Sequence, residues 1–273
     1  MRRVLNVRPR AGGRFLLGFL PLLALVLFYL AASTAKHAEN PSEKILPTVG
    51  AMVEQVRIMA FQVDPQTGAI PLWQDTGASL RRLCLGLAIA TALTLVLGLL
   101  IGVLPLVQAT LSPLIAAIAV IPPIAVLPIL FITFGLGETA KIVLIVVGVT
   151  PAMVRELASH VAAIPEEQIV KAQTLGASTW QIIRRVALPQ ALPRLLQCVR
   201  LSLGPAWVFL ISAEAIASDV GLGYRIFLVR RYLAMDIILP YVAWTALLAV
   251  AIDLALLALS RRAYPWAHPV RAQ

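Results

Sequence analysis

The sequence predicts an all-α polytopic membrane protein of about six transmembrane helices, and three observations carry that expectation. Of 273 residues, 60% are hydrophobic and only 13% charged, with a mean hydropathy of +0.88, whereas soluble domains carry roughly a quarter charged residues. The apolar residues gather into stretches near the ~20 helical residues that a hydrocarbon core requires. The net charge of +10 divides unevenly between the segments that separate those stretches. Intrinsic disorder is excluded by the same apolar content.

The stretches are 15–32, 80–104, 112–133, 139–160, 201–218 and 237–259. The first follows an arginine-rich start and ends in the small residues Ala31–Ala35, so a cleaved signal peptide is one reading. The run from Phe15 to Ala32 is longer than a usual signal core, which favours an uncleaved anchor. Residues 1–32 are thus a cytoplasmic tail plus first helix. Segment 33–79 is polar and punctuated by Pro and Gly, and reads as an extracytoplasmic linker with a short amphipathic helix near 45–61. Ser112-Pro113 reads as an N-cap and first helical residue of the third span. Residues 80–260 form the core, interrupted by a polar loop at 161–200, and 261–273 form a tail.

With the N-terminus in the cytoplasm, the inner side holds Arg2, Arg3, Arg8, Arg10, Arg14, Arg155, Lys171, Arg184, Arg185, Arg194, Arg200, Arg261, Arg262 and Arg271. The outer side holds Lys36, Lys44, Arg57, Arg81, Arg82, Lys141, Arg225, Arg230 and Arg231. Fourteen against nine favours both termini inside, and makes the basic excess an orientation signal. Nucleic-acid binding is not expected, because no basic face interleaved with aromatics occurs.

Much chemistry is missing. There is no G-x-x-x-x-G-K-[ST] phosphate loop, no serine nucleophile elbow, and His37, His160 and His268 are too scattered for a metal site. Cys84 and Cys198 lack redox or zinc spacing. The chain is not expected to be an enzyme, and energy for work must come from a gradient or a partner.

The loop at 161–200 is the most specific part of the chain. Pro165-Glu166-Glu167 suits a helix N-terminus, with Ile169, Ala172 and Leu175 on one face. Gly176 then reads as a left-handed stop. Ser178 to Gln181 fits a capping box before a second short helix with Ile182, Ile183 and Val186 apolar. Leu188-Pro189 and Leu192-Pro193 read as its end. Two such helices form either a protruding knob or an interfacial loop on the membrane surface.

The order Lys171-Ala-Gln-Thr-Leu-Gly-Ala-Ser-Thr-Trp-Gln-Ile-Ile-Arg-Arg-Val-Ala-Leu-Pro189 resembles the EAA loop of binding-protein-dependent ABC importer permeases. That pattern runs E-A-A-x-x-x-G, a spacer of about nine residues, then I-x-L-P. Ala172, Gly176, Val186, Leu188 and Pro189 fit, while Val170 and Lys171 replace the Glu and first Ala. Trp73-Gln-Asp-Thr-Gly-Ala-Ser79-Leu-Arg-Arg82, Ile121-Pro-Pro-Ile-Ala-Val-Leu-Pro128, Phe134-Gly-Leu-Gly-Glu-Thr-Ala-Lys141 and Gly221-Leu-Gly-Tyr224 look like the nitrate/sulfonate/taurine-type branch. The variant loop is similar to permeases associated with urea or guanidine carboxylation. The similarity covers about 73–262.

The resemblance implies a type I ABC importer (MetI-like) permease fold. It implies that the loop docks on a separate ABC ATPase subunit, with Glu167, Lys171, Ala172, Leu175, Gly176, Ala177, Trp180, Ile183, Val186, Leu188 and Pro189 as coupling residues. It also implies a homodimer in the inner membrane, fed by a periplasmic or lipid-anchored substrate-binding protein. No cofactor is expected on this chain, ATP and Mg belonging to the partner ATPase. The solute would be small and polar, nitrate/sulfonate/taurine-like or urea/guanidine-like, moved by alternating access.

For the translocation path, Pro122, Pro123 and Pro128 interrupt the helix ladder near mid-membrane, in a stretch that should face protein or water. They read as a kinked pore-lining helix or as a buried structural kink. Glu214, near Trp207 on the fifth span, is a path or gate contact or else a salt bridge to an outer arginine; its charge would suit a cationic or neutral solute. Asp253 is expected to pair with Arg200 or Arg261. A gradient-driven secondary transporter or channel is the alternative, and would need paired ionisable groups at mid-membrane.

Overall fold

A computed structural model describes residues 11–40, 43–65 and 67–267. Arg2, Arg3, Arg8, Arg10, His268 and Arg271 lie outside them. Every regular element among the described residues is helical, as expected. Among the described residues five helices are long and apolar enough to cross a membrane, or six if a bent pair is counted as one span. The chain divides into two compact units, one comprising residues up to 62 with 229–240, the other 63–228 with 241 onward.

In the first unit, α1 (Ala11–Glu39) outruns the expected span at both described ends. Thr34 Oγ1 donates back to the Leu30 and Ala31 carbonyls, at 3.0 Å each. The chain then folds back on α1: Tyr29 Oη donates to Pro47 O at 2.7 Å, and Ser33 Oγ donates to Leu46 O at 3.1 Å. Thr48 caps α2 (Val49–Phe61) by accepting from the Ala51 amide. The segment expected as a linker over 33–79 is therefore largely helical, because α1 persists to 39 and α3 begins at Pro71.

The second unit is built around α3 (Pro71–Val103) and α6 (Glu138–Ala162). α3 carries small residues four apart, at Gly86, Ala90, Thr94, Gly98 and Gly102. A Cβ at Gly86, Gly98 or Gly102 would lie 2.9 Å from Ile145, 2.8 Å from Leu157 and 2.6 Å from Val161 respectively. Both series ascend together, so the two helices run parallel with their backbones close, the arrangement small residues permit in membranes. α9 (Leu188–Ala217) runs antiparallel to α6, with Gly148 against Phe209 and Leu144 clustered with Ala213. At the other end Leu99, Leu157, Val161, Ala187, Ala191 and Leu195 form a second buried cluster.

The third span differs from expectation. Its helix begins at Pro105, with extended Leu104 before it, and Pro113 lies inside the helix rather than at its start. α4 (Pro105–Val120) then ends at Ile121-Pro122, both extended, and α5 (Pro123–Phe134) leaves at 95°. Each proline disfavours helical backbone in the residue before it, so two in succession break the helix where a kink was expected. The fifth span also differs: Leu188-Pro189 does not end the loop helix. α8 (Thr179–Ile182) passes through a π segment, Ile183–Ala187, directly into α9. Pro189 falls in the first turn of α9, where its missing N–H costs little, and Pro193 lies inside that helix. The chain continues through α10 (Leu222–Val229) to α11 (Met235–Ala263).

Candidate functional site

Two features stand at opposite ends of the α3–α6 pair. The first is the loop after α6. α7 (Glu166–Thr174) opens with Glu166 and Glu167 in its first turn. It closes on Gly176 at φ +78°, with the Gly176 amide donating to Gln173 O at 2.9 Å and the Ala177 amide to Ala172 O at 3.0 Å. This paired closure satisfies two terminal carbonyls. The Ser178 amide donates to Gln181 Oε1 at 2.8 Å, and the Gln181 amide to Ser178 Oγ at 3.4 Å, so the expected capping box is formed.

The loop residues divide into two sets. Glu167, Lys171, Leu175, Gly176, Trp180 and Pro189 are exposed, Leu175 at 80% and Trp180 at 68%. Ile183 is buried, and Ala172, Ala177, Val186 and Leu188 are half-buried. Leu188 packs on the cluster of Leu99, Leu157 and Leu195. The geometry thus presents a large apolar pair on a base anchored in three long helices.

The second feature is a buried polar network at the other end. Arg82 Nη1 donates to Glu214 Oε1 at 2.6 Å and to Val220 O at 2.8 Å. Its Nε and Nη2 clasp the Glu138 carboxylate at 2.6 and 2.7 Å. Lys141 Nζ donates to Glu138 Oε1 at 3.0 Å. Glu214, fully buried, also accepts from Ser79 Oγ at 2.8 Å and from the Gly223 amide at 2.8 Å. Asp75 accepts from the Gly221 amide at 2.9 Å, from Arg225 Nε at 2.8 Å and from Tyr241 Oη at 3.2 Å. The turn between α9 and α10 is thereby held by side chains of α3. Gly221, at φ +139°, leaves room for the carboxylate, since a Cβ there would lie 2.6 Å from Glu214 Cδ. Arg82, Lys141 and Arg225 balance Glu138, Glu214 and Asp75.

Of the residues assigned to the path, Pro122 and Pro128 are exposed and Pro123 is half-buried at the α4–α5 break. Trp207 is buried, and its Nε1 has no hydrogen-bond partner among the described residues. Glu214 pairs with Arg82, one of the arginines expected on the outer side. Asp253 pairs with Arg200 in a two-pronged contact at 2.8 Å on each prong. Sequence reasoning gave no site role to Asp75, Ser79 or Glu138 and counted Arg82 and Lys141 only among the outer charges, although an outer arginine was one expected partner of Glu214. The signal was present, because three stretches quoted for the resemblance, 73–82, 134–141 and 221–224, supply nearly all of the network.

The family model described as "Binding-protein-dependent transport system inner membrane component" matches residues 87–266. The taurine transport system permease protein of Escherichia coli is 38% identical over 195 residues, 71% of each chain. A putative ABC transporter permease protein of Methanocaldococcus jannaschii is 32% identical over 248 residues, 90% of each chain. Among solved structures, an inward-facing MetNI methionine ABC transporter matches 68% of this chain and 93% of that chain with a TM-score of 0.60 at 24% identity, which supports the MetI-like fold. With a match across most of the core and a relative above one-third identity, the chain belongs to the binding-protein-dependent ABC importer permeases, multi-pass proteins of the inner membrane.

Proposed function

We propose that this permease forms half of a pore for a small anionic or zwitterionic solute of the taurine type, driven by a separate ATPase subunit. The carrying observation is the loop at 163–187, where Leu175 and Trp180 stand exposed while Ile182, Ile183, Ala187 and Leu188 root it beside α3, α6 and α9. A contact meant to transmit force needs that stiffness, since displacement of a loose loop would be absorbed locally. An interfacial loop would instead lay its apolar residues on the membrane without needing both a closed turn and a capping box. In this reading two copies pair, both termini face the cytoplasm, and a substrate-binding protein delivers solute from outside. ATP and Mg sit on the ATPase, and this chain binds no cofactor. Closure of the ATPases draws the two loops together and opens the path outward, and hydrolysis resets it.

The path in this reading runs past the α4–α5 break at Pro122-Pro123, with Pro128 beyond it on α5. Freed backbone groups there require protein or water. Glu214 acts as an organiser of the outer end, and its charge, neutralised by Arg82, gives no preference for a cationic solute. That removes the charge argument for a guanidine-like substrate, and the taurine permease relative favours the anionic alternative. The test is uptake of labelled taurine by proteoliposomes holding the permease, its ATPase and its binding protein. Leu175→Ala with Trp180→Ala should abolish uptake and ATPase co-purification while leaving membrane insertion intact. Full uptake by that double variant would sink the reading.

A further inference from the structure

The inner half of α6 holds a basic residue that the rest of the fold leaves free. Its neighbour Glu156 pairs with Arg194, and Arg200 pairs with Asp253. Arg82, Lys141 and Arg225 are absorbed by the buried network. Arg155 has no ion-pair or hydrogen-bond partner among the described residues. It lines a half-open cleft of about 200 Å³ between α4 and α6, together with Gln108, Ser112 and Ser159, with Arg155, Gln108 and Ser159 exposed at its mouth. The remaining walls are apolar, and no carboxylate lines it.

This cavity is the lower of two. A second, also about 200 Å³, lies at the α4–α5 break against Pro123, Gly148 and Ala152. Gly148, Ala152, Arg155 and Ser159 recur at spacings of four, three and four, which places them on one face of α6. On α4, Gln108, Ser112, Ile115 and Ala119 repeat the same spacing and line the same two cavities in reverse order. The facing stripes form a track that is apolar at the break and polar toward the coupling loop.

From this geometry we infer that Arg155, with Gln108, Ser112 and Ser159, forms a binding subsite for a small carboxylate or sulfonate on the loop side of the path. A guanidinium presents a planar fork of donors that matches two oxygens of such a group. Two hydroxyls and an amide supply further donors, and no carboxylate is present to offset the charge of a cation beside Arg155. The cleft has the volume of roughly seven waters at about 30 Å³ each, the size class of a two- or three-carbon oxoacid. The inference rests on reading the α4–α6 track as part of the path, and it names the solute class that track admits.

The experiment is equilibrium binding of radiolabelled taurine to the full chain in phosphatidylcholine nanodiscs, without ATPase or nucleotide. Wild type should bind, with displacement by ethanesulfonate and none by ethylammonium. Arg155→Gln should weaken binding at least tenfold, Arg155→Lys less, and Ser112→Ala severalfold, with thermal melting unchanged. Should Arg155→Gln melt early, Ser112→Ala carries the test alone. Absence of binding, equal displacement by ethylammonium, or wild-type affinity in both Arg155→Gln and Ser112→Ala overturns the inference. So does loss of taurine binding when phosphatidylglycerol is included, since Arg155 would then hold a lipid headgroup. Any of these failures leaves the coupling-loop experiment untouched, because no ATPase takes part in the binding.

Discussion

Glu214→Gln keeps the shape of the buried network and removes one charge. The native carboxylate accepts from Ser79 Oγ, Arg82 Nη1 and the Gly223 amide. An amide offers a single oxygen, so either Arg82 or Gly223 then faces an N–H group, and a hydrogen bond to a charged group, about 1.5–3 kcal/mol, is lost. The three cations of the network also face two anions instead of three. Breaking a buried pair by removing one partner costs about 3–5 kcal/mol, which is roughly two to three and a half decades in the unfolding equilibrium. The assay is SDS titration in mixed micelles followed by tryptophan fluorescence. Arg82→Met with Glu214→Leu should recover part of the loss, because a buried pair replaced by apolar residues of similar volume is often neutral, and the half-exposed Glu138 keeps Lys141. A loss below about 0.5 kcal/mol for Glu214→Gln, or a double variant worse than both singles, would refute the reasoning.

Gly176→Ala places a side chain at φ +78°, which costs about 1–2 kcal/mol locally; uptake should fall more than global stability in the same micelle titration. Gly102→Ala puts a Cβ 2.6 Å from Val161 and 3.0 Å from the Ala158 carbonyl. The helices must part, and the unfolding free energy should drop by about 1–3 kcal/mol. Trp180→Ala, at an exposed site, should leave stability within about 0.5 kcal/mol while ATPase stimulation by the permease disappears.

How much of this was readable in advance depended on the range of the interactions. Apolar runs near membrane length marked the helices, and Gly176, Ser178 and Gln181 announced a turn that closes within ten residues, all through local chemistry. The break at Pro122-Pro123 was visible as an interruption, but its 95° angle depends on what α5 packs against, Leu144 and Ala213 among them. Helix ends were misplaced for a related reason. Ser79 and Arg82 look like polar boundary residues, yet α3 begins at Pro71 because Glu214 and the Leu222 amide, more than 130 residues away, meet them inside the bundle. That Glu156 pairs with Arg194 while Arg155 has no partner among the described residues was equally out of reach, since it turns on which face of α6 Arg194 approaches.

The positions of the two sites constrain how they communicate. Gly86 meets Ile145 one turn below Arg82, and Gly102 meets Val161 just before the loop begins. Between them α3 and α6 stay in backbone proximity, so neither can slide without lifting a side chain out of its notch. Under the proposed function, a push at Leu175 and Trp180 would therefore reach the Arg82 network as a movement of the pair, not as a deformation within it. α4 and α5 are differently built: they are joined through an extended Pro-Pro step, and no residue of α4 is buried. Movement of α6 against α4 changes the width of the track that holds Arg155. Under the proposed function, the element that would open the path and the element that would carry the load are thus distinct, with the broken third span between them.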